Sequence, residues 1–306
     1  MKSELNNIIF EITQNCNLNC KYCYNIWKAD SNLAITAKQS YKTALNTIKK
    51  LIKISHLKSI TFTGGEPTLS ERFIEIVLFC RLKGLDVTVI SNGNYYTKDN
   101  YKLLLDMGVS LFEFPLLSYD EKVHDSLTRT DGSWNKTLKS IKDVLLLKGN
   151  VTGVIVITKE NYKNIDKTLT LMFDLGIESI MLNRFNIGGE GIHQQKYILP
   201  TKEELHEAFL KAKQAGKVGF YGISSHKNTQ AVLEAAIETG WYDVFMPGIT
   251  PAGWFDFQTK KLAEKTPVLK ELQSLFQKAR EAGFGLIAMK VGWIPSRDST
   301  AFDDQY

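Results

Sequence analysis

The sequence predicts an α/β fold built on a parallel sheet, and three observations support this class. Short apolar runs of strand length alternate with helix-like segments through most of the 306 residues. Glycine follows several of the helical segments, at the position where helices commonly end. The stretches between successive strands are long enough to contain a crossover helix, which parallel strands require.

Six strands and five intervening helices are predicted in the first 190 residues. The first strand is the apolar run Ile8–Ile12. The other strands are predicted at Ser59–Thr63, Val87–Ile90, Leu111–Leu117, Val151–Thr158 and Ser179–Phe185. The helices are predicted at Ile35–Ile54, Glu71–Lys83, Lys98–Met107, Ser133–Lys148 and Ile165–Leu175. In the first helix, Tyr41, Leu45, Ile48 and Ile52 recur at the spacing of one helix face.

The C-terminal third continues the alternation of strands and helices. Helices are predicted at Glu203–Ala215, Gln230–Thr239 and Val268–Ala282. Strands are predicted at Lys217–Ser224, Tyr242–Met246 and Phe284–Met289, with a loop at Gly248–Thr259 and a polar tail at Ser296–Tyr306. We expect two domains, 1–200 and 201–306, because the pattern changes near Pro200.

Composition and charge restrict the classes of partner. The net charge of +5 on 306 residues is a mild excess, which does not predict binding to nucleic acid. The N-terminus lacks an apolar core of signal-peptide length, and no apolar stretch approaches the roughly 20 residues that span a bilayer. We therefore expect a cytoplasmic protein with no membrane partner, in a reducing compartment where cysteine more often binds metal than forms disulfides.

Three of the four cysteines lie within eight residues, in the loop that follows the first strand. Cys16, Cys20 and Cys23 form a CxxxCxxC pattern, so that three thiolates can reach one small metal cluster from a single loop. Chance clustering of buried cysteines is the alternative, and the tight spacing argues against it. The fourth cysteine, Cys80, lies in an apolar helical segment and is expected to be a core residue.

Other residues suited to binding follow the second, third and sixth strands. The second strand ends in Gly64-Gly65-Glu66-Pro67 and the third in Ser91-Asn92-Gly93. The sixth ends in Asn183-Arg184-Phe185, followed by Gly188-Gly189. Because ligands of parallel α/β folds gather at the carboxyl ends of the strands, these segments are expected to share one site with the cysteines.

Together, CNLNCKYC, GGEP and SNG resemble the motifs of the radical S-adenosylmethionine (SAM) superfamily, over about residues 5–195. The resemblance implies an enzyme with a partial (β/α)6 TIM-like barrel. It implies a [4Fe-4S] cluster that cleaves SAM reductively, giving a 5′-deoxyadenosyl radical that abstracts hydrogen from a substrate. The cofactor supplies the difficult chemistry while the protein orients it, and no protein side chain is predicted as catalytic.

The resemblance also implies the residues that hold each group. Cys16, Cys20 and Cys23 would each bind one iron, and SAM would occupy the fourth. The residues expected to contact SAM are Tyr22, Gly64, Gly65, Glu66, Asn92, Ser118 and Arg129. Among them, Tyr22 would lie near the adenine, and Asn92 and Ser118 would contact the ribose. The Glu66 carboxylate and the backbone of the two glycines would receive the methionine ammonium, and Arg129 its carboxylate.

The segment at residues 183–189 resembles radical SAM enzymes that modify peptides and small substrates. We therefore expect a peptide or small-molecule substrate and an electron donor such as flavodoxin or ferredoxin. Peptide-modifying relatives often carry a cysteine-rich extension for auxiliary clusters. This chain has no cysteine after Cys80, so no auxiliary cluster is expected within it.

About residues 203–290 resemble instead the fifth to seventh strand–helix units of aldo-keto reductases. The phrases KVGFYGISSH, AAIETGWYDVFMPGITPAGW and KAREAGFGLIAMK carry this likeness. The catalytic tetrad of that family is absent, so we expect no reductase activity. Two of the added strands would complete an eight-stranded barrel, or else the segment packs poorly and exposes an edge. A chimera that binds a cluster without catalysis and a nicotinamide-binding module are the alternative functions.

Overall fold

A computed structural model of the chain describes residues 5–28, 30, 40–225, 229–247, 255–256, 261–262 and 269–287. The chain divides into two compact units, Met1–Ala212 and Lys213–Tyr306. The domain boundary expected at residue 200 stays a prediction. In the described part of the chain, every helix is too short or too polar to cross a lipid bilayer.

A six-stranded parallel sheet forms the centre of the first unit, as the sequence predicts. Its strands are β1 (Asn7–Thr13), β2 (Ser59–Gly64), β3 (Asp86–Ile90), β4 (Leu111–Pro115), β5 (Val151–Ile157) and β6 (Ser179–Arg184). They lie side by side in the order of the sequence, and each neighbouring pair is parallel. The carboxyl ends of all six strands therefore lie at one edge of the sheet.

Eight α-helices that begin in the first unit are described, and two of them were not predicted. They are α1 (Tyr41–Ile54), α2 (Phe73–Leu82), α3 (Lys98–Asp106), α4 (Glu121–Thr128), α5 (Ser133–Leu146), α6 (Ile165–Asp174), α7 (Gly191–Ile198) and α8 (Lys202–Gln214). The unpredicted helices, α4 and α7, have eight residues each, too few to establish an apolar period. Of the predicted helix Ile35–Ile54, residues 35–39 lie outside the described residues.

The two faces of the sheet differ because successive strand side chains point to opposite sides. In β4, Phe112 and Phe114 are fully buried, whereas Glu113 and Pro115 between and beyond them are partly exposed. Both phenylalanine rings contact Tyr101 of α3 edge to face, with centroids 5.5 and 5.9 Å apart. One face of the sheet thus packs under helices, and the other face is free to line a cavity.

Helix α2 shows how the sequence ends a helix between two strands. Its fully or nearly fully buried residues, Phe73, Ile76, Val77 and Cys80, recur at intervals of three and four and form its apolar face. Gly84 has a φ of +77°, and the N–H of Leu85 donates to the carbonyl of Cys80. This is the arrangement by which glycine closes the last turn of a helix.

The second unit contains a parallel sheet of its own. Its described strands are β7 (Gly222–Ser225), β8 (Val244–Pro247), β9 (Phe255–Asp256), β10 (Lys261–Leu262) and β11 (Gly285–Leu286), and its helices are α9 (Thr229–Thr239) and α10 (Leu269–Glu281). Strands β7, β8 and β11 form a three-stranded parallel sheet, with β8 in the middle, and β9 pairs antiparallel with β10.

Around Phe245, which is fully buried, the second unit has a small apolar core. Among the described strands, none of this unit belongs to the six-stranded sheet, so the first of the two alternatives, an eight-stranded barrel, is not seen in the described part of the chain. The predicted loop at Gly248–Thr259 contains β9, and its other residues lie outside the described part of the chain. The same holds for the predicted tail at Ser296–Tyr306.

We predict that Phe62→Ala lowers the free energy of unfolding of the first unit by about 3–5 kcal/mol, the range for removal of a buried phenylalanine. Phe62 is fully buried in β2, and its ring contacts Phe73 of α2 with centroids 5.3 Å apart. Urea denaturation measures the change. Leu82→Ala is the control, because that side chain is 76% exposed. Similar losses in both variants would contradict this description of the core.

Candidate functional site

The three cysteines of the loop after β1 line one cavity of about 550 Å³ at the carboxyl edge of the sheet. Cys16, Cys20 and Cys23 are partly buried and form no disulfide. The predicted SAM-binding residues that also line this cavity are Tyr22, Gly64, Gly65 and Asn92. The structure therefore brings together the residues that follow the first three strands.

Main-chain hydrogen bonds join the start of the cysteine loop to the end of β2. The N–H of Gly65 donates to the carbonyl of Thr13, and the N–H of Glu66 donates to the carbonyl of Asn15, each at 2.7 Å. A Cβ atom on Gly64 would overlap the carbonyl oxygen of Thr13, and one on Gly65 that of Asn15. The two glycines are therefore required for close approach of the cysteine loop, in addition to any approach of a ligand.

A second glycine segment, after β6, contacts the other end of the loop. Gly189 has a φ of +51°, and a Cβ atom there would overlap the carbonyl oxygen of Asn25. The N–H of Gly191 donates to the carbonyl of Cys23 at 3.3 Å. The Asn25 side-chain amide donates to the carbonyl of Gly64 at 2.8 Å, so it connects this end of the loop to β2.

Lys21 fastens the middle of the loop to two further elements. Its N–H donates to the carbonyl of Leu127 in α4 at 2.8 Å. Its ammonium donates to the hydroxyl of Ser126 and to Oε1 of Glu160, both at 2.8 Å. The Lys21–Glu160 ion pair is only partly exposed, so water screens it less than a pair on the open surface. The cysteine loop is thus attached to elements that lie far apart in sequence.

Glu66 is buried behind the cavity rather than in its lining. Thr68 donates to Oε1 from its N–H at 3.1 Å and from its hydroxyl at 2.6 Å, and Ser91 donates to the same oxygen at 2.9 Å. The N–H of Asn92 donates to Oε2 at 2.7 Å. Burial raises the pKa of Glu66, and these four hydrogen bonds oppose that shift. The carboxylate joins the ends of β2 and β3.

Several hydrogen bonds hold Asn92 next to the cysteine loop. Its side-chain amide donates to Oδ1 of Asn17 at 2.8 Å and approaches Sγ of Cys16 at 3.8 Å. Its carbonyl accepts from the hydroxyl of Thr137 at 2.8 Å. With the bond from its N–H to Glu66, these contacts fix the position of Asn92 in the cavity wall.

Two predicted site residues lie away from the cavity wall. The buried hydroxyl of Ser118 accepts from the N–H of Asp120 at 3.1 Å, within the turn that begins α4. The guanidinium of Arg129 forms an ion pair with Glu190 at 2.8 Å. Their predicted contacts with the ribose and the methionine carboxylate are therefore not seen as cavity contacts, and both stay predictions.

The cavity lining also contains polar residues that were not predicted from the sequence as site residues. They include Asn25, Lys28, Glu113 and Asn186. The sequence does indicate the direction of Glu113. It is a charged residue between two phenylalanines in a predicted strand, so it lies on the face opposite to theirs. Asn25 and Lys28 carried no comparable signal in the sequence.

The donor set fits an iron–sulfur cluster. Three thiols from one loop surround the cavity, and thiolates are the ligands that hold such clusters. Burial raises the pKa of all three thiols, to about 12 for Cys20, whose sulfur also accepts a hydrogen bond from the side chain of Tyr22. Metal binding at these thiols would therefore release protons. Among the described residues, no three His, Cys, Asp or Glu side chains converge on a single metal ion.

The fold and the site define an α/β protein with three cysteines gathered at the carboxyl ends of its parallel strands. The chain belongs to the radical SAM superfamily, whose sequence model matches residues 10–172, more than half of the chain. This superfamily uses a [4Fe-4S] cluster together with SAM, and the members similar to this chain include enzymes such as a peptide cyclase, a heme synthase and a nucleotide dehydratase. The family expected from the sequence is confirmed.

Several curated relatives are similar to the chain over part of their length. A tungsten-containing aldehyde ferredoxin oxidoreductase cofactor-modifying protein of Pyrococcus furiosus is 28% identical over 58% of this chain and 50% of its own. A PqqA peptide cyclase of Methylocella silvestris is 24% identical over 69% of this chain and 56% of its own. The chain thus spans about half the length of these relatives.

Solved structures show the same fold. SuiB of Streptococcus suis bound to SAM has a TM-score of 0.55 and 15% identity, over 69% of this chain and 46% of that one. SuiB bound to its precursor peptide SuiA has a TM-score of 0.52 and 16% identity, over 59% and 39%. The resemblance of the C-terminal third to aldo-keto reductases receives no support from these comparisons.

We predict that Lys21→Met makes a reconstituted cluster about 10-fold easier to remove, because residues that orient metal ligands typically contribute this much to metal affinity. The substitution removes the ammonium bonds to Ser126 and Glu160 and keeps an unbranched side chain. The measurement is the rate at which an iron chelator bleaches the cluster absorption. Lys102→Met, which removes an exposed ion pair with Asp106, is the control. Equal rates in both variants would rule out the role of Lys21.

Proposed function

We propose that this chain is a radical SAM enzyme that acts on a peptide or another small molecule. The observation that carries the proposal is the cavity into which Cys16, Cys20 and Cys23 open beside the backbone of Gly64 and Gly65. When bound there, the [4Fe-4S] cluster and SAM would supply the chemistry of the superfamily, reductive cleavage of SAM to a 5′-deoxyadenosyl radical that takes a hydrogen atom from the substrate.

The protein's own part in this function is to bind and orient. The three cysteines would hold three irons, and the backbone of Gly64 and Gly65 would receive the methionine ammonium. Tyr22 lines the cavity beside Cys20 and is proposed to lie near the adenine, and Asn92 is proposed to contact the ribose.

Three further residues for which a role in SAM binding is proposed lie outside the cavity wall. The carboxylate of Glu66 already accepts four hydrogen bonds, so we propose that it acts chiefly through the backbone of Asn92, which it holds. Arg129 would reach the methionine carboxylate only if it left Glu190. Ser118 would reach the ribose only if the turn before α4 moved.

The substrate class is proposed from the relatives together with the size of the cavity. A PqqA peptide cyclase and a subtilosin biosynthesis protein are among the similar proteins, and SuiB has been crystallised with its precursor peptide. A nucleotide dehydratase and a heme synthase are also among them, so small molecules remain within the proposal. Flavodoxin or ferredoxin is the proposed class of electron donor, in the cytoplasm.

Residues 201–306 are proposed to form a separate segment with the strand–helix pattern of an aldo-keto reductase fragment. Its three-stranded parallel sheet supports an α/β character. We propose no nicotinamide chemistry for it, because the sequence lacks the catalytic tetrad of that family. An active radical enzyme and a cluster-binding chimera without catalysis are the alternatives, and product formation decides between them.

We predict that anaerobic reconstitution with iron and sulfide, followed by SAM and a strong reductant, yields 5′-deoxyadenosine, and that Cys20→Ala abolishes it. Cys20 lines the cavity, whereas Cys80 is fully buried in α2 away from it. Cys80→Ala is therefore the matched control and should retain both the cluster and product formation. Liquid chromatography of the nucleoside provides the measurement.

Two results would contradict the proposed function. A wild-type protein that carries a cluster and forms no 5′-deoxyadenosine would favour the non-catalytic alternative. Product formation that survives Cys20→Ala would overturn the assignment of the cluster ligands. Iron and sulfide content, determined on each preparation, separates a lost cluster from lost turnover.

A further inference from the structure

Glu113 is a second carboxylate at the cavity, on the face of the sheet that the helices leave uncovered. It lies in β4 directly beside Ile90 of β3, which is its partner in the strand register. Both residues line the cavity that the three cysteines also line. The alternation of β4, in which Phe112 and Phe114 face the helices, directs Glu113 to the cavity side.

The carboxylate of Glu113 has no hydrogen-bond or ion-pair partner among the described residues. Glu66 shows the contrasting case, since its two oxygens accept four hydrogen bonds. A glutamate that serves the fold is satisfied within the fold, as Glu66 is. Glu113 is half-buried, and its carboxylate is available to a group that enters the cavity.

Much of the cavity wall near Glu113 is apolar. Ile90, Pro115, Val154 and Met181 line the same space. Burial raises the pKa of Glu113, and within the described part of the chain no hydrogen bond or nearby opposite charge offsets that shift. A ligand group that carries positive charge and N–H donors would supply the missing partner, through a charge-assisted hydrogen bond.

The basic residues of the cavity do not fill this role. Lys28 and Arg184 both line it, and neither lies within ion-pair distance of Glu113. In the strand register, Glu113 pairs with Thr152 of β5, and Thr152 pairs with Ser179 at the start of β6. Arg184 is the last residue of β6. The five intervening steps amount to about 17 Å along the strand.

We propose that Glu113 is a substrate-binding residue that receives a protonated amine or guanidine of the substrate on the apolar wall of the cavity. The inference rests on the proposed function, because the group must enter the cavity in which the cofactor would be held. It narrows the substrate to molecules with a cationic group next to an apolar portion, such as a peptide with a lysine or arginine side chain. The reacting carbon would lie between that group and the cysteine edge.

The test uses hexylammonium and hexan-1-ol as a matched pair of probes. Both are titrated calorimetrically, without oxygen, into the reconstituted, SAM-loaded full chain at neutral pH, where the amine is protonated. We expect the amine to bind about 10-fold or more tightly than the alcohol, the ratio typical of a hydrogen bond to a charged group. In Glu113→Gln the two dissociation constants should become similar.

Glu11→Gln is the control variant and should keep the preference for the amine. Glu11 is an exposed carboxylate of β1, outside the cavity lining. If Glu113→Gln lacks the absorption of the cluster, Glu113→Met takes its place, since it leaves an unbranched apolar side chain on an apolar wall. Equal binding of both probes to the wild type, or a preference that persists in the Glu113 variants, would overturn the proposal.

Measurement of 5′-deoxyadenosine on the same wild-type preparation keeps the two proposals apart. Nucleoside formation without a preference for the amine would refute the role of Glu113 and leave the proposed function standing. A preference for the amine without nucleoside formation would refute the proposed function and support the cationic site.

Discussion

The shape of the cysteine loop depends on main-chain hydrogen bonds that it shares with the ends of other strands. Gly65 and Glu66 bond to its first residues, Leu127 to its middle and Gly191 to its end. A loop with three cysteines and few apolar side chains cannot rely on its own packing for order. The sheet supplies the order instead, since parallel strands bring their carboxyl ends to one edge. Each part of the site is positioned by these strand ends.

Polar groups near the site fall into two kinds, and the difference is visible in their partners. Glu66, Asn92 and Lys21 are occupied by neighbours, so they hold the loop and the strand ends in fixed positions. Glu113 is a half-buried carboxylate without such neighbours. An interior of low polarity makes a satisfied group rigid and an unsatisfied one costly. A bound ligand that supplies the missing partner removes the free-energy cost of the unsatisfied carboxylate.

Much of the first unit could be predicted from the sequence, because its signals are local. Each of the six strands is an apolar run with a turn or glycine at its end, and the CxxxCxxC spacing marks the loop whose three cysteines line the cavity. Side-chain direction at a strand end is not local, and for that reason the sequence does not show that Glu66 accepts four hydrogen bonds within the fold or that Arg129 pairs with Glu190. The short helix α4 lacked a readable period, and its cap geometry depends on Asp120, which reads equally well as a turn.

The bond between Gly191 and Cys23 joins two points that are distant along the chain. During synthesis the cysteines leave the ribosome before Gly191 does, since the chain emerges from its N-terminal side. Their last partner emerges only after the sixth strand has been made. A nascent chain would thus present its three thiols to oxidants and stray metals until the residues around Gly191 have been made.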